Sequence, residues 1–228
     1  MTMSGELELF DTHAHLDHEK MAKDLAVVLR RAEDAGVNRI LAVTSEISPE
    51  GFMKPVALVR DNGLAGAVVG IHPHEASLGT PDLLKRGEEV AGGEEEVKAV
   101  GEIGLDFHYD FSPREKQREV FIRQLQMARR VNKPVVLHIR EAHDEALEIL
   151  SREAGGEPWE GVVHCFSAGA ERAKAYLDLG LHLSFTGILT FKKAVSVSQA
   201  AAVTPRNRLF LETDAPYLAP VPYRGKRC

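Results

Sequence analysis

Residues 97–106 read Val-Lys-Ala-Val-Gly-Glu-Ile-Gly-Leu-Asp, and residues 107–131 continue Phe-His-Tyr-Asp-Phe-Ser-Pro-Arg-Glu-Lys-Gln-Arg-Glu-Val-Phe-Ile-Arg-Gln-Leu-Gln-Met-Ala-Arg-Arg-Val. Val97 to Val100 is a short β-branched run that predicts a strand. Pro113 to Val131 predicts a helix: Ser112 can cap it, Pro113 suits its first turn, Glu115 is placed for a capping box, and Val120, Phe121, Leu125 and Ala128 share one face. Polar residues gather at the joint between the two. This is one βα unit, and the fold follows from finding it repeated on both sides.

Working outward, short apolar runs occur at Leu7 to Phe10, Arg39 to Val43, Ala67 to Gly70, Pro134 to Leu137, Gly161 to Val163, His182 to Phe185 and Leu209 to Leu211. Helical spacing lies between them at about Lys20 to Ala35, Glu50 to Asn62, Asp82 to Ala91, Glu141 to Glu153, Ala170 to Leu179 and Val195 to Val203, with Gly36 and Gly180 placed as helix C-caps. Eight strands alternating with helices, without a linker, a composition break or an internal repeat, predict a single α/β domain over residues 1–228. The architecture expected is a (β/α)₈ TIM barrel, and a doubly wound open sheet is the alternative. Its final helix is expected to be lacking, because 17 residues follow Leu211 and Pro216, Pro220 and Pro222 forbid a regular helix there. Such a seam between strands one and eight would favour self-association.

Composition narrows the class. At 44% apolar and 27% charged residues the chain is neither collagen-like, coiled-coil nor disordered. The longest apolar stretch, Ala65 to Ile71, is far short of the ~18 residues a membrane span needs. Glu6, Glu8 and Asp11 stand where a signal peptide would be basic and then apolar, and two cysteines, Cys165 and Cys228, suit a reducing compartment, so a cytoplasmic location is expected. The net charge of −6 is uneven: from Lys192 onward the chain carries a local +5, leaving −11 on the preceding 191 residues. That basic end is either a solvated surface or an anion-binding patch.

The chemistry lies where strands end. Asp11-Thr-His-Ala-His15 follows strand one, Gly70-Ile-His-Pro-His74 strand three, Gly101-Glu-Ile-Gly-Leu-Asp106 strand four, His138-Ile-Arg140 strand five, His164-Cys-Phe-Ser167 strand six and Glu212-Thr-Asp-Ala-Pro216 strand eight. In a barrel all these ends open on one face, where active sites are built. Ten histidines in this length would produce His-x-His roughly 0.4 times by chance, and it occurs twice. Alternation along a strand lets His13 and His15 aim at one ion while Ala14 points away. Several histidines with Glu102 and Asp214 exceed the needs of one tetrahedral zinc and suit two ions sharing a carboxylate.

These motifs, in this order, resemble the TatD family of metal-dependent deoxyribonucleases, and the resemblance spans essentially the whole chain. Phe185-Thr-Gly-Ile-Leu-Thr-Phe191 and Arg224-Gly-Lys-Arg227 resemble family segments as well. The resemblance implies an amidohydrolase-type TIM barrel binding one or two divalent metal ions, Zn, Mg or Mn. His13, His15 and Asp214 would hold one ion, His138 and His164 the other, and Glu102 would bridge them. Two departures stand out: Ala168 replaces a usual glycine after the His-Cys-Phe-Ser motif, and family members usually continue past Arg227 into a last helix.

Phosphodiester cleavage of a DNA substrate, single-stranded or at its ends, is the activity expected, by a metal-activated hydroxide with Asp214 and Glu102 as catalytic residues and Asp214 orienting or deprotonating the water. His72, His74 and Arg140 are candidate substrate contacts, and Phe107, Tyr109 and Phe166 candidate base-stacking residues. His18, His108, His143 and His182 are read as structural, Cys165 as a buried thiol and Trp159 as packing. An amide, ester or aminoacyl-RNA linkage is the second substrate class this metal chemistry would serve, and a non-catalytic metal-binding scaffold is the third reading.

Overall fold

Runs rich in valine and isoleucine become strands, and stretches with an apolar face at helical spacing become the layer that covers them. In the computed structural model, which describes residues 8–228, the strands are β1 (Leu9–Ala14), β2 (Val37–Val43), β3 (Gly66–Val69), β4 (Val97–Asp106), β5 (Val135–Arg140), β6 (Gly161–His164), β7 (His182–Phe185) and β8 (Leu209–Leu211). They form one sheet in sequential order, every neighbouring pair parallel. The helices are α1 (Glu19–Ala22), α2 (Leu25–Asp34), α3 (Lys54–Asn62), α4 (Pro81–Gly93), α5 (Arg114–Arg130), α6 (His143–Glu153), α7 (Ala170–Asp178) and α8 (Val195–Val203). Sequential parallel order with a helical crossover at each step is the TIM-barrel arrangement, which excludes the doubly wound alternative.

Two apolar layers follow from strand alternation. Val43, Val68, Ala99, Val136 and Val162, one from each of β2 to β6, cluster on the inner face. Their sequence neighbours Ala67, Val69, Val100, Val135, Leu137 and Val163 instead pack outward with Phe52, Phe121, Leu125, Leu150 and Tyr176 of the helical layer. The ring is completed at one end only: Ala14 and Ala215 form an isolated parallel bridge, the His15 N–H donates to the Ala215 carbonyl at 2.7 Å, and the Asp214 N–H donates to the His13 carbonyl at 3.0 Å. No helix follows β8 among the described residues, and Phe10, Phe210 and Leu211 are exposed there.

The structure corrects several boundaries. The expected strands stop where the polar motifs begin, whereas β1 runs through Asp11 to Ala14, β4 through Gly101 to Asp106 and β5 through His138 to Arg140. Polar side chains there face the barrel mouth, so polarity does not mark the end of the backbone ladder. Leu7 lies outside the described residues. The first helix is two helices, α1 and α2, and the Gly51–Met53 turn is 3₁₀. Short 3₁₀ turns at Pro73–Leu78 and Gly187–Thr190, both in the connections that rim the mouth, carry no helical or strand periodicity. Ser112 does not cap α5. Its hydroxyl donates to the His74 carbonyl at 2.7 Å and accepts from the Ser77 N–H at 3.0 Å, tying the segment after β4 to that after β3.

Candidate metal centre

The C-terminal ends of β1, β5 and β6 and the segment after β8 bring five histidine and carboxylate side chains, His13, His15, His138, His164 and Asp214, around Glu102 of β4. β4 and β5 approach closely at Gly104, whose φ is +147° and where a Cβ would meet the His138 carbonyl oxygen at 2.0 Å. α5 secures the same strand ends with two buried glutamines. Gln117 accepts from the Asp106 N–H at 2.8 Å and donates to the Asp106 carbonyl at 3.1 Å, while Gln124 accepts from the Ile71 N–H at 2.7 Å and donates to its carbonyl at 3.0 Å.

Glu102 is 4% exposed and its two oxygens face different donors. Oε2 lies 3.2 Å from His13 Nε2 and 3.6 Å from His15 Nε2; Oε1 lies 2.7 Å from His138 Nδ1, 3.0 Å from His164 Nε2 and 3.5 Å from His72 Nε2. On the first side His13 Nε2 and His15 Nε2 are 3.3 Å apart, and Asp214 Oδ1 stands 3.9 and 3.4 Å from them. Ligands on ~2.1 Å bonds in a tetrahedron sit about 3.4 Å from one another, which matches this spacing. The donor set itself argues for a cation, since two imidazole nitrogens in van der Waals contact repel unless a proton or a metal ion lies between them. His13 is fully buried and its Nδ1 has no hydrogen-bond partner among the described residues. The chain's residues therefore fit the divalent metal expected at this end of the barrel. Among the described residues three clusters meet the spacing of a cation site: His13, His15 and Asp214; His13, Glu102 and His164; and His72, His74 and His138.

Two carboxylates that the sequence reading left without a role stand behind these donors. Glu212 accepts from His164 Nδ1 at 3.0 Å and from the Cys165 N–H at 2.6 Å, so the ring turns Nε2 toward Glu102. Asp106 is fully buried and its Oδ2 faces His138 Nε2 at 3.1 Å and His74 Nε2 at 2.8 Å, while Oδ1 accepts from the His108 and Tyr109 N–H groups. A carboxylate on the second ring nitrogen is the usual support of a metal-binding histidine, fixing its tautomer and orientation. Both residues are visible only as the last and first letters of the Gly-Glu-Ile-Gly-Leu-Asp and Glu-Thr-Asp motifs. After β2, Ser45 reaches His15 Nδ1 at 3.4 Å and is itself held by Asp17.

Burial disfavours charge on all of these acids, and the surrounding imidazoles reverse the effect. Glu102 is held well below the usual carboxylate range by His164, His72 and His13, and Asp106 is likewise held low by hydrogen bonds from His138 and His74. Burial also raises Asp214, but the His15 hydrogen bond outweighs it and the carboxyl stays below its ordinary value. Cys165 is different: burial pushes its thiol up to about 12, so it remains protonated and inert.

Of the expected substrate contacts, His72 and His74 lie inside this constellation, and Arg140 lies at its rim with its guanidinium 4.7 Å from the centre of the Tyr109 ring. Phe166 is not available for stacking. It is 1% exposed and packs among His143, Tyr176 and Phe185. Phe107 is covered by Arg114, whereas Tyr109 is exposed and stacks on the exposed Phe111, a residue the sequence reading did not nominate. His18 caps α1, His182 stacks on Phe210 at the foot of the barrel, and Trp159 is buried with its indole N–H donating to the Leu150 carbonyl.

A parallel barrel whose strand ends converge on clustered imidazoles and carboxylates is the architecture of a metal-dependent hydrolase. The chain belongs to the TatD family: the family model described as TatD related DNase matches residues 10–228. It is 39% identical over 224 residues to the uncharacterized metal-dependent hydrolase YabD of Bacillus subtilis, covering 96% of this chain and 84% of that one. It is 37% identical over 218 residues to the 3'-5' ssDNA/RNA exonuclease TatD of Erwinia billingiae, covering 93% and 80%. The crystal structure of the TatD homologue YjjV of Escherichia coli K12 superposes with a TM-score of 0.89 at 32% identity, covering 96% of this chain and 84% of that chain.

Proposed function

We propose that this metal-dependent hydrolase cleaves phosphodiester bonds of DNA, single-stranded or at its ends. The observation that carries the reading is the division of Glu102 between two donor sets, which suits two cations sharing one carboxylate. His13, His15 and Asp214 would hold one ion and His138 and His164 the other. Mixed nitrogen and oxygen donors favour Zn or Mn, with Mg held more weakly. When bound, such a pair supplies a nucleophile from water at neutral pH and neutralises phosphate charge.

The chain's own groups do the rest. Asp214 is ionised at neutral pH and borders the open mouth, so it can accept a proton from the attacking water and return it to the leaving oxygen. His72, His74 and Arg140 would contact substrate phosphates, and Tyr109 and Phe111 offer an exposed aromatic face to a base. A relative named as an exonuclease on single-stranded DNA and RNA supports an unpaired strand with attack from its 3' end. Two unpaired cysteines support a cytoplasmic setting, and no helix of the described residues is long and apolar enough to cross a membrane. Phe10, Phe210 and Leu211 along the open seam support self-association through that edge, and a monomer by light scattering at high concentration would refute it.

The test is release of nucleotides from labelled single-stranded DNA by metal-loaded protein. Asp214→Asn and Glu102→Gln should each lower the rate by at least ~10²-fold, the usual weight of a positioned acid or base. Turnover of model esters without DNA cleavage would overturn the reading in favour of an amide, ester or aminoacyl-RNA substrate. Undiminished metal binding in a protein inactive on every substrate would leave a structural scaffold.

A further inference from the structure

A cavity opens at the same end of the barrel as the metal centre. It encloses about 680 Å³ between the segments that follow β4, β5 and β6, the strands that carry Glu102, His138 and His164, and its lining includes Phe107, Arg140, His143, Ser167, Ala168 and Arg172. Its rim is crowded with charge, almost all of it matched. Arg114 is paired with Asp110 at 2.9 Å, Arg172 with Asp144 at 2.9 Å, His108 with Glu141 at 2.7 Å, and Arg118 with Glu145. Arg140 is left over: among the described residues the side chain of this half-buried arginine makes no ion pair and no hydrogen bond, and its guanidinium lies over the Tyr109 ring. A cation partly withdrawn from water with nothing to compensate it is costly unless an anion arrives. His143 adds a neutral donor or acceptor. Its Nδ1 meets the Tyr176 hydroxyl at 3.1 Å, and Nε2 has no partner among the described residues.

We propose that this cavity is a subsite for a nucleotide adjoining the one being cleaved, its phosphate bound by Arg140 and its sugar and base lodged between Phe107, His143 and Ala168. The inference rests on the nuclease reading and adds a substrate requirement to it, a strand extending beyond the scissile phosphate. The spacing supports it. His138 and Arg140 lie two residues apart on one face of β5, ~6.6 Å along the strand, while Ile139 between them is buried toward the helices. A run of unpaired backbone can cover that separation with consecutive phosphates. The volume is that of a small-molecule pocket, roughly 300–1,000 Å³, and admits a nucleoside but not a duplex. The guanidinium of Arg140 lies over the Tyr109 ring, which stacks in turn on Phe111, so a strand held at Arg140 has an aromatic pair within reach.

Ser167 is exposed on the cavity wall, and Ser167→Trp would fill the space without entering the core. Kinetics should be measured with bis(p-nitrophenyl) phosphate, which has a single phosphate, and with a hexathymidylate. The variant should raise KM for the hexamer at least ~10-fold and leave kcat/KM for the small diester within about twofold, since one charged hydrogen-bonded contact is worth roughly that much. Arg140→Ala, placed on an Asp214→Asn background to stop turnover, should weaken binding of a fluorescent hexamer ~10-fold and reduce the slope of log affinity against log salt by ~0.7. Equal losses on both substrates in Ser167→Trp, or unchanged affinity and salt slope in Arg140→Ala, would overturn the subsite. If the wild type cleaves neither substrate yet Arg140→Ala still loses affinity, the subsite stands and the nuclease reading falls. Active wild type with both variants unaffected gives the reverse result.

Discussion

At the scale of the residue, the site depends on groups that would never touch a cation or a substrate. Glu212 and Asp106 fix the rings of His164 and His138, so Glu212→Gln and Asp106→Asn should each lower metal affinity or turnover by ~10–100-fold, read by metal titration and by rate, with secondary structure unchanged. Wild-type affinity in both variants would remove them from any orienting role. Their importance is hard to see in the sequence because an acid earns it through a neighbour about 40 residues away, whereas His13 and His15 show their shared aim within three letters. His143 makes a pH prediction. Burial first, and Arg172 second, lower its imidazole to about 4, so it is neutral in the folded protein. The unfolded chain binds a proton near the ordinary value of 6.5 and the folded one does not, so stability falls as the pH drops from about 6.5 toward 4, by up to ~3 kcal/mol. The urea midpoint of wild type should decline faster across that window than that of His143→Phe, and parallel curves would refute the assignment.

At the scale of the element, α5 does more than cover the sheet. Its apolar face was legible, because Val120, Phe121, Leu125 and Ala128 recur at helical spacing and all are buried. Gln117 and Gln124 were not, since glutamine on a helix ordinarily marks the wet side; here both are buried and satisfy the backbone of Asp106 and Ile71 where the ladder gives way to the mouth. Gln124→Leu would leave the Ile71 N–H and carbonyl without partners at a typical cost of ~1–3 kcal/mol each, so a denaturant curve should show a loss of ~2–6 kcal/mol. A loss below ~1 kcal/mol would mean that water replaces the amide. Strand ends are hidden in the sequence for a related reason. A periodicity reading stops at the first polar residue, but β1, β4 and β5 continue pairing while their side chains turn from core to chemistry.

At the scale of the whole molecule, the alternation of short apolar runs with helical stretches sufficed for the order of the barrel, because each βα unit buries its own two faces and leaves an independent local trace. Which histidines meet depends on closure, and no local pattern reports that. The converging donors also couple ligand to stability. A cation at 100 times its dissociation constant should raise the unfolding free energy by ~2.7 kcal/mol, and chelation should lower the melting temperature accordingly. Identical melting with zinc, manganese and chelator would show that no ion is held.

The Asp214 N–H on the His13 carbonyl joins positions about 200 residues apart, as does the nearby Thr12 to Glu212 contact. On a ribosome adding ~5–20 residues per second, the first strand therefore waits roughly 10–40 s for the segment that completes its donor set. Through that interval His13 and His15 have no Asp214, and a cation that needs all three donors is loaded only after residue 214 has been made.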